Sequence, residues 1–260
     1  ENKEEGLKYI KMAIDLGNPI AKNIYNEMVY PEMEKNKFKR IKIFADEGDV
    51  DAIFEYAKIL YFGDGVSCNY EESLKYFKMA ADKGHVTSTY NYGYMLLKGL
   101  GTPQNIPEAI KYLKIAADCN EPKAMLTYAG LLMNGIEIPK NIKEAAYYYK
   151  KVASLGYPEG IYCYGTILLF GLGIPEKEEE GLYYLQIAAQ MGVADALNKI
   201  KEYHAQKLKE NERIKTLIQK ANKNDLNSIL EIVNLLKEGK QIDIDKSKLA
   251  NILLIAIKNG

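Results

Sequence analysis

One phrase recurs in this chain at a fixed interval, and that interval constrains the fold more than any other feature. Residues 92–103 read YGYMLLKGLGTP, residues 128–139 YAGLLMNGIEIP and residues 164–175 YGTILLFGLGIP. The register extends beyond the phrase: Gly48, Gly84, Asn120, Gly156 and Gly192 stand 36 residues apart, as do Gly63, Gly99, Gly135 and Gly171. Pro103, Pro139 and Pro175 keep the same interval, and so do the small residues Ala52, Ser88, Ala124, Gly160 and Ala196. A period of this length marks an array of one structural unit. Shorter units flank it: Gly17 precedes Gly48 by 31 residues, Asn224 follows Gly192 by 32, and Gly260 closes a last unit of 36.

Within a unit the apolar spacing is helical. Ala109, Tyr112, Leu113, Ala116 and Ala117 fall at steps of three and four, which gathers them on one stripe. Leu74, Phe77, Ala80 and Ala81 repeat that stripe one period earlier, and Ala124, Tyr128, Ala129 and Leu132 form its counterpart in the first half of a unit. Alternation of apolar and polar residues never runs long enough to argue for a strand. Each unit is therefore a helical hairpin, and the recurring phrase is the end of its first helix with the loop that follows.

Gly171 stands where a helix C-terminus needs a left-handed residue, which glycine reaches without a Cβ penalty. Pro175 then prevents helix continuation and biases Ile174 toward extended backbone. The segment GLGIPE lacks the third glycine of a dinucleotide-binding G-x-G-x-x-G and follows a helix rather than a strand, so that reading fails. The pairs Ala80–Ala81, Ala116–Ala117 and Ala188–Ala189 let neighbouring helices approach closely. Because one hairpin cannot bury its apolar face alone, the hairpins must stack. The expected fold is an all-α solenoid of about seven or eight antiparallel hairpins, with units ending near residues 17, 48, 84, 120, 156, 192, 224 and 260.

Composition narrows the function classes. The chain of 260 residues carries 35 basic and 35 acidic side chains, a formal net charge of zero, and so has no long-range pull toward nucleic acid or anionic lipid. Nothing approaches the apolar run of about 18 residues that a membrane-spanning helix requires, nor the pattern of a signal peptide. The first residues lack an initiating Met and begin inside a charged helical pattern, which reads as a piece of something longer. The three cysteines, Cys68, Cys119 and Cys163, share no repeat position, and their odd number points to a reducing, cytoplasmic compartment. His85 and His204 lie far apart without ligand-spaced partners, so neither a metal site nor a catalytic triad is expected. No recurrent carboxylate pair or activated nucleophile points to an enzyme, and no cofactor is expected.

The unit A-x-x-x-[LY]-[GA]-x-x-[LY]-x-x-G-x-G, followed by A-x-x-[YW] and A-A-x-x-G, runs from Ala52 through Gly65 to Gly84 and recurs through Gly192. It resembles the Sel1-like repeats, relatives of the tetratricopeptide repeat. The resemblance covers residues 50–193 most fully, extends to 4–49, and fades over 194–260. Residues 1–193 are accordingly read as Sel1-like repeats and 194–260 as divergent helical repeats of one continuous solenoid. The resemblance implies a right-handed superhelix whose first helices line a concave face, and a role as adaptor or scaffold. Bacterial members often staple each hairpin with a disulfide, which this chain does not repeat. Pentatricopeptide RNA binders have nearly the same period but a basic character absent here.

Placing Ala124, Tyr128, Ala129 and Leu132 in the core puts the residues two, three, six, nine and ten after the small one on the opposite side of the first helix, at about 100° per residue. Those positions hold Phe54, Glu55, Lys58, Tyr61 and Phe62, then Tyr90, Asn91, Tyr94, Leu97 and Lys98. In the next units they hold Leu126, Thr127, Gly130, Met133 and Asn134, and Tyr162, Cys163, Thr166, Leu169 and Phe170. A purely solvated face would be charged, and this one is aromatic and aliphatic. Tyr61, Leu97, Met133 and Leu169 are expected to pack against neighbouring helices. The expected partner-binding residues are Phe54, Lys58, Tyr90, Asn91, Tyr94, Leu126, Thr127, Tyr162 and Thr166, taking a peptide or helix of another protein.

Elsewhere structural roles are expected. Tyr76, Tyr112, Tyr148 and Tyr184 keep register with the alanine pairs and should wedge between repeats. The basic run 35–42, KNKFKRIK, reads as a solvated helix face. Residues 205–220, highly charged and without glycine or proline, suit a terminal helix pair shielding the stack. Residues 225–260 read as one more hairpin, with Leu226, Ile229, Leu230, Val233 and Leu236 on its first stripe and Ile252, Leu253, Ile255 and Ala256 on its second. The function read from the sequence is a non-catalytic protein-interaction scaffold. The alternatives are a regulatory array of a larger enzyme such as a kinase or ubiquitin-ligase complex, with further domains of the same polypeptide, and an RNA-binding helical repeat.

Overall fold

The computed structural model describes residues 3–29, 37–135, 137–239, 242 and 244–258. The chain divides into two compact units, Glu1–Val152 and Ala153–Gly260. The first holds α1 (Lys3–Asp15), α2 (Pro19–Val29), α3 (Lys37–Asp46), α4 (Val50–Phe62), α5 (Tyr70–Asp82), α6 (Val86–Lys98), α7 (Ile106–Asp118), α8 (Pro122–Asn134) and most of α9 (Ile142–Ser154). The second holds α10 (Pro158–Phe170), α11 (Glu178–Gln190), α12 (Ala194–Ala221), α13 (Leu226–Lys237) and α14 (Lys246–Lys258). The described residues contain no strand. Within each unit consecutive helices pack as antiparallel hairpins, so the expected all-α stack of hairpins is what forms.

The loop glycines behave as their period predicts. Gly63, Gly99, Gly135 and Gly171 cap α4, α6, α8 and α10 with φ of 73°, 68°, 69° and 61°, all left-handed. A repeated backbone bond then folds the loop back: Asn69, Asn105, Asn141 and Lys177 donate N–H to the carbonyls of Leu60, Leu96, Leu132 and Leu168. The other punctuating series is left-handed too, and Asn120, with φ 64°, holds the position glycine occupies in the neighbouring units. Asparagine tolerates that conformation better than other side chains.

Most residues of the predicted core stripes are buried, with Leu74, Ala81 and Tyr112 partly exposed. Ala109, Leu113, Ala116 and Ala117 on α7 and Ala124 and Ala129 on α8 have no solvent exposure. Burial of one leucine such as Leu113 stabilises the fold by about 1.5–3 kcal/mol. On α5, Phe77 and Ala80 join Ile53, Tyr56, Ala57 and Leu60 of α4 and Met95 and Leu96 of α6 in one continuous cluster. A hairpin thus shares its core with the next one.

A polar and aromatic ladder runs beside this core in the first unit. Tyr56, Tyr92 and Tyr128 meet Tyr76, Tyr112 and Tyr148 edge to face, with ring centroids 4.6, 4.7 and 5.4 Å apart. Tyr56 and Tyr92 donate their hydroxyls to Glu72 and Glu108, both at 3.2 Å. The second tyrosines reach the preceding hairpin: Tyr76 donates to Asp46 at 2.8 Å and Tyr148 to Asp118 at 2.7 Å. Those aspartates pair with Lys42 and Lys114, whose ammonium groups lie over the rings of Tyr56 and Tyr128. Tyr76 and Tyr148 therefore do sit between repeats, as structural elements. Burial pushes the Tyr56 phenol up to about 12, helped by Glu72.

In the second unit two expectations are corrected. Residues 205–220 are not a helix pair but the C-terminal part of the single 28-residue helix α12. The loop glycine series 63, 99, 135, 171 would next fall at 207, where the chain has lysine, so nothing supplies a left-handed break. Lys207 instead pairs with Glu178 and donates to Tyr203, whose own hydroxyl reaches Glu176 at 2.8 Å. On α13 the buried apolar residues are Ile229, Ile232 and Leu235, while Leu226 and Leu230 are 45% and 51% exposed. This helix is apolar on more than one side, so spacing alone did not fix which stripe faces inward. Ile252 of α14 is buried against it, with Ile255 and Ala256 packed alongside. Part of the run 35–42 and the expected unit end at 260 lie outside the described residues.

Candidate functional site

The first helices of the hairpins in the first unit carry the candidate site. Core packing fixes the rotation of α4 through Ile53, Tyr56, Ala57 and Leu60, and of α6 through Tyr92, Met95 and Leu96. That rotation turns Phe54, Lys58, Tyr61 and Phe62 of α4 and Thr87, Tyr90, Asn91 and Tyr94 of α6 toward one groove of about 400 Å³, closed by Lys123 of α8 and floored by Phe77 of α5. The start of α6 is set by the His85 cap, whose Nδ1 accepts from the Ser88 N–H at 3.1 Å.

Aromatic contact organises the walls. Phe54 packs against Phe77 and the His85 ring with centroids 6.1 and 4.5 Å away, so it serves both the core and the groove. Tyr61 meets Phe62 edge to face at 4.9 Å and Tyr70 at 5.4 Å. Across the groove Tyr90 and Tyr94 lie 5.8 Å apart. Burial raises the Tyr61 and Tyr90 phenols above their ordinary value, and the Thr127 hydroxyl, bonded to that of Tyr90, opposes part of the shift. Both phenols stay protonated donors at neutral pH.

Charge is distributed unevenly around the rings. Lys58 lies 5.0 Å over Phe54 and pairs with Glu55 at 2.8 Å. Lys98 lies 5.8 Å over Tyr94. Neither Lys98 nor Lys123 has a carboxylate partner among the described residues, and the Asn91 amide makes no hydrogen bond among them. Beside the groove, Glu121 accepts from the Thr87 hydroxyl at 3.1 Å.

Of the residues expected from the sequence, Phe54, Lys58, Tyr90, Asn91 and Tyr94 come together in the groove. Thr127 reaches it only through the Tyr90 hydroxyl, its own hydroxyl donating to the Lys123 carbonyl at 2.8 Å. Leu126 is half-buried on α8, outside the lining. Tyr162 and Thr166 belong to the second unit, where the Thr166 hydroxyl donates to the Tyr162 carbonyl at 2.9 Å. Leu169 is fully buried and Leu97 packs against the core, as expected of them, whereas Tyr61 packs and lines the groove at once. The sequence reading placed Phe62 on this face without counting it among the partner-binding residues, and it missed Thr87, Phe77 and Lys123 as lining residues. Lys123 is one residue after the start of α8, a position that pattern analysis centred on mid-helix stripes does not reach.

Among the described residues no three metal-ligating side chains converge, and no helix is long and apolar enough to cross a membrane. Hairpins stacked on their neighbours at a fixed period, with an aromatic groove on their first helices, define an α-helical repeat protein. The Sel1 repeat model matches residues 1–18, 50–85, 86–121, 122–157 and 158–193, more than half of the chain. The chain belongs to the Sel1 repeat family.

Solved structures agree on the fold. A Sel1 repeat protein from Oxalobacter formigenes matches with a TM-score of 0.61 at 23% identity, over 75% of this chain and 58% of that one. The protein c5321, a protective antigen present in uropathogenic Escherichia coli strains displaying an SLR fold, matches with a TM-score of 0.62 at 18% identity, over 86% of this chain and 49% of that one. This chain thus spans less than two thirds of either relative. Comparison with curated proteins gives no match.

Proposed function

We propose that this chain is a non-catalytic interaction scaffold that holds a segment of another protein in the groove between α4 and α6. Sel1 repeats are generally protein-interaction modules. The observation that carries the reading is the groove itself: half-buried tyrosines whose rings are held by their neighbours, beside an Asn91 amide that makes no hydrogen bond among the described residues. Rigid aromatic side chains give broad contact at small entropic cost, and an open amide can hydrogen-bond a peptide backbone.

The experiment is partner capture by the wild type and by the Tyr90→Ala, Tyr94→Ala double variant. Capture falls in the variant, with each truncation weakening binding by about 2–4 kcal/mol, while helical content and melting stay near wild type. Full capture by a variant that melts early would instead make both tyrosines part of the core.

A further inference from the structure

Between α10 and α11, residues 171–177 turn the chain back, so the second helix lies against the first. α12 has no such turn. Its start is anchored beside α10 and α11 by Ala196 and Tyr203, the latter meeting Phe170 of α10 edge to face at 5.7 Å. Its end is anchored in a different core, where Leu217 and Ala221 join Ile229, Ile232 and Leu235 of α13 and Ile252 of α14. Between these anchors nothing is buried: residues 204–216 include no buried side chain, and all of 204–213 but Glu210 are exposed. At 1.5 Å per residue, Tyr203 and Leu217 stand about 21 Å apart along the helix.

A helix surrounded by water has no apolar face to hold it and rests on intrinsic propensity and on pairs along its own surface. The stretch HAQKLKENER, residues 204–213, suits that role, being rich in strong helix formers and free of glycine and proline. Arg213 pairs with Glu210 at 3.3 Å. Further pairs reach outward at each end, from Lys207 to Glu178 of α11 and from Arg213 to Glu231 of α13. Exposed pairs of this kind contribute little each, so the stretch is straight without being strong.

We propose that α12 is a helical arm that carries a separately cored module, made of its own last turns with α13 and α14, at a set distance from α10 and α11. The exposed centre of the arm is where this part of the chain opens first. While residues 204–213 are helical the module is held in one place. When they open it becomes tethered, with both cores intact. The fold thus contains a joint that is rigid or loose according to the state of one solvated stretch.

Two readouts on the whole chain test this. One is native-state hydrogen exchange, and the other is the distance between spin labels on Glu179→Cys and Lys237→Cys, both exposed positions, with Cys68, Cys119 and Cys163 replaced by serine. In the wild type the amides of 204–213 exchange about tenfold faster than those of α11 and α13, and the label distance is single and narrow. Lys209→Pro breaks the helix where nothing packs on it. It broadens the distance and speeds exchange at 204–213 further, while α10, α11, α13 and α14 keep their protection. Leu217→Ala lowers protection in α13 and α14 and leaves α10 and α11 unchanged. Loss of protection in α13 and α14 on Lys209→Pro, or in α10 and α11 on Leu217→Ala, would make the whole one cooperative body and overturn the separate module. A distance that is broad in the wild type, or that stays narrow in Lys209→Pro, overturns the arm, and central amides as slow as those of α11 overturn opening at its centre.

Discussion

The Tyr148 hydroxyl donates to Asp118 Oδ1 at 2.7 Å, tying α9 to the end of α7 across thirty residues of sequence. Tyr76 and Asp46 repeat this contact two periods earlier, at 2.8 Å. The bond joins one hairpin to the next, so it acts on the stacking of repeats rather than on the stability of a single helix.

Tyr148→Phe therefore weakens the stack while leaving the ring contact with Tyr128 in place. Asp118 is about half exposed, so the loss is about 1 kcal/mol, at the low end for a bond to a charged group. Urea denaturation followed by circular dichroism measures it. An unchanged midpoint would mean that water replaces the hydroxyl without cost.

The same aspartates set an acid limit. The bond from Lys42, and then that from Tyr76, holds the Asp46 carboxyl below its ordinary value. For Asp118 burial acts upward, but the bonds from Tyr148 and Lys114 outweigh it and the net shift is downward. A carboxyl with a depressed folded pKa contributes stability above its unfolded value, and that contribution is lost as pH falls through the folded one. The melting temperature should thus hold steady on this account down to about pH 4 and drop below it. Tyr148→Phe should show a shallower acid drop than wild type. A drop of the same size in both would remove the Tyr148 bond from the account.

Backbone conformation gives a prediction of opposite sign at two matching loop positions. Gly101 has φ 75°, and a Cβ there would lie 2.3 Å from the Tyr70 carbonyl oxygen, so Gly101→Ala adds a clash to left-handed strain. The cost is about 2 kcal/mol or more. One period later the chain has Glu137 at φ 61°, a non-glycine residue in a glycine conformation. Glu137→Gly should raise stability by up to about 1 kcal/mol. Thermal melts of both variants check the pair, and destabilisation by Glu137→Gly would contradict it.

Helix approach gives another. Gly181 of α11 lies against α10 so closely that a Cβ would sit 2.6 Å from the Leu169 amide nitrogen. Replacing a mid-helix glycine by alanine ordinarily stabilises by about 1 kcal/mol. Here Gly181→Ala should instead destabilise, by about 1–3 kcal/mol, because backbone must move. A higher melting temperature would show that α10 and α11 separate freely.

Much of the fold was legible in the sequence because it depends on spacing. Gly171 and Pro175 fixed a loop, and Ala116 and Ala117 fixed a close face, without reference to anything distant. The ladder was not legible: Asp46 and Tyr76 are joined by a side-chain bond whose partners no local pattern connects. The register of α13 was misread because Leu226, Ile229, Leu230 and Ile232 make two overlapping stripes, and packing against α12 and α14 selects one. For the groove, one helix face supplied Phe54, Tyr90 and Tyr94. Phe77 and Lys123 were missed because they arrive from other helices.

The most direct test places a photocrosslinking amino acid at Asn91, inside the groove, and separately at Lys111, exposed on α7. With the bound partner present, irradiation should join the partner to position 91, with the crosslink mapping to one short segment, and leave position 111 unlinked. Crosslinking from position 111 with none from position 91 would contradict the groove as the place where this protein holds its partner.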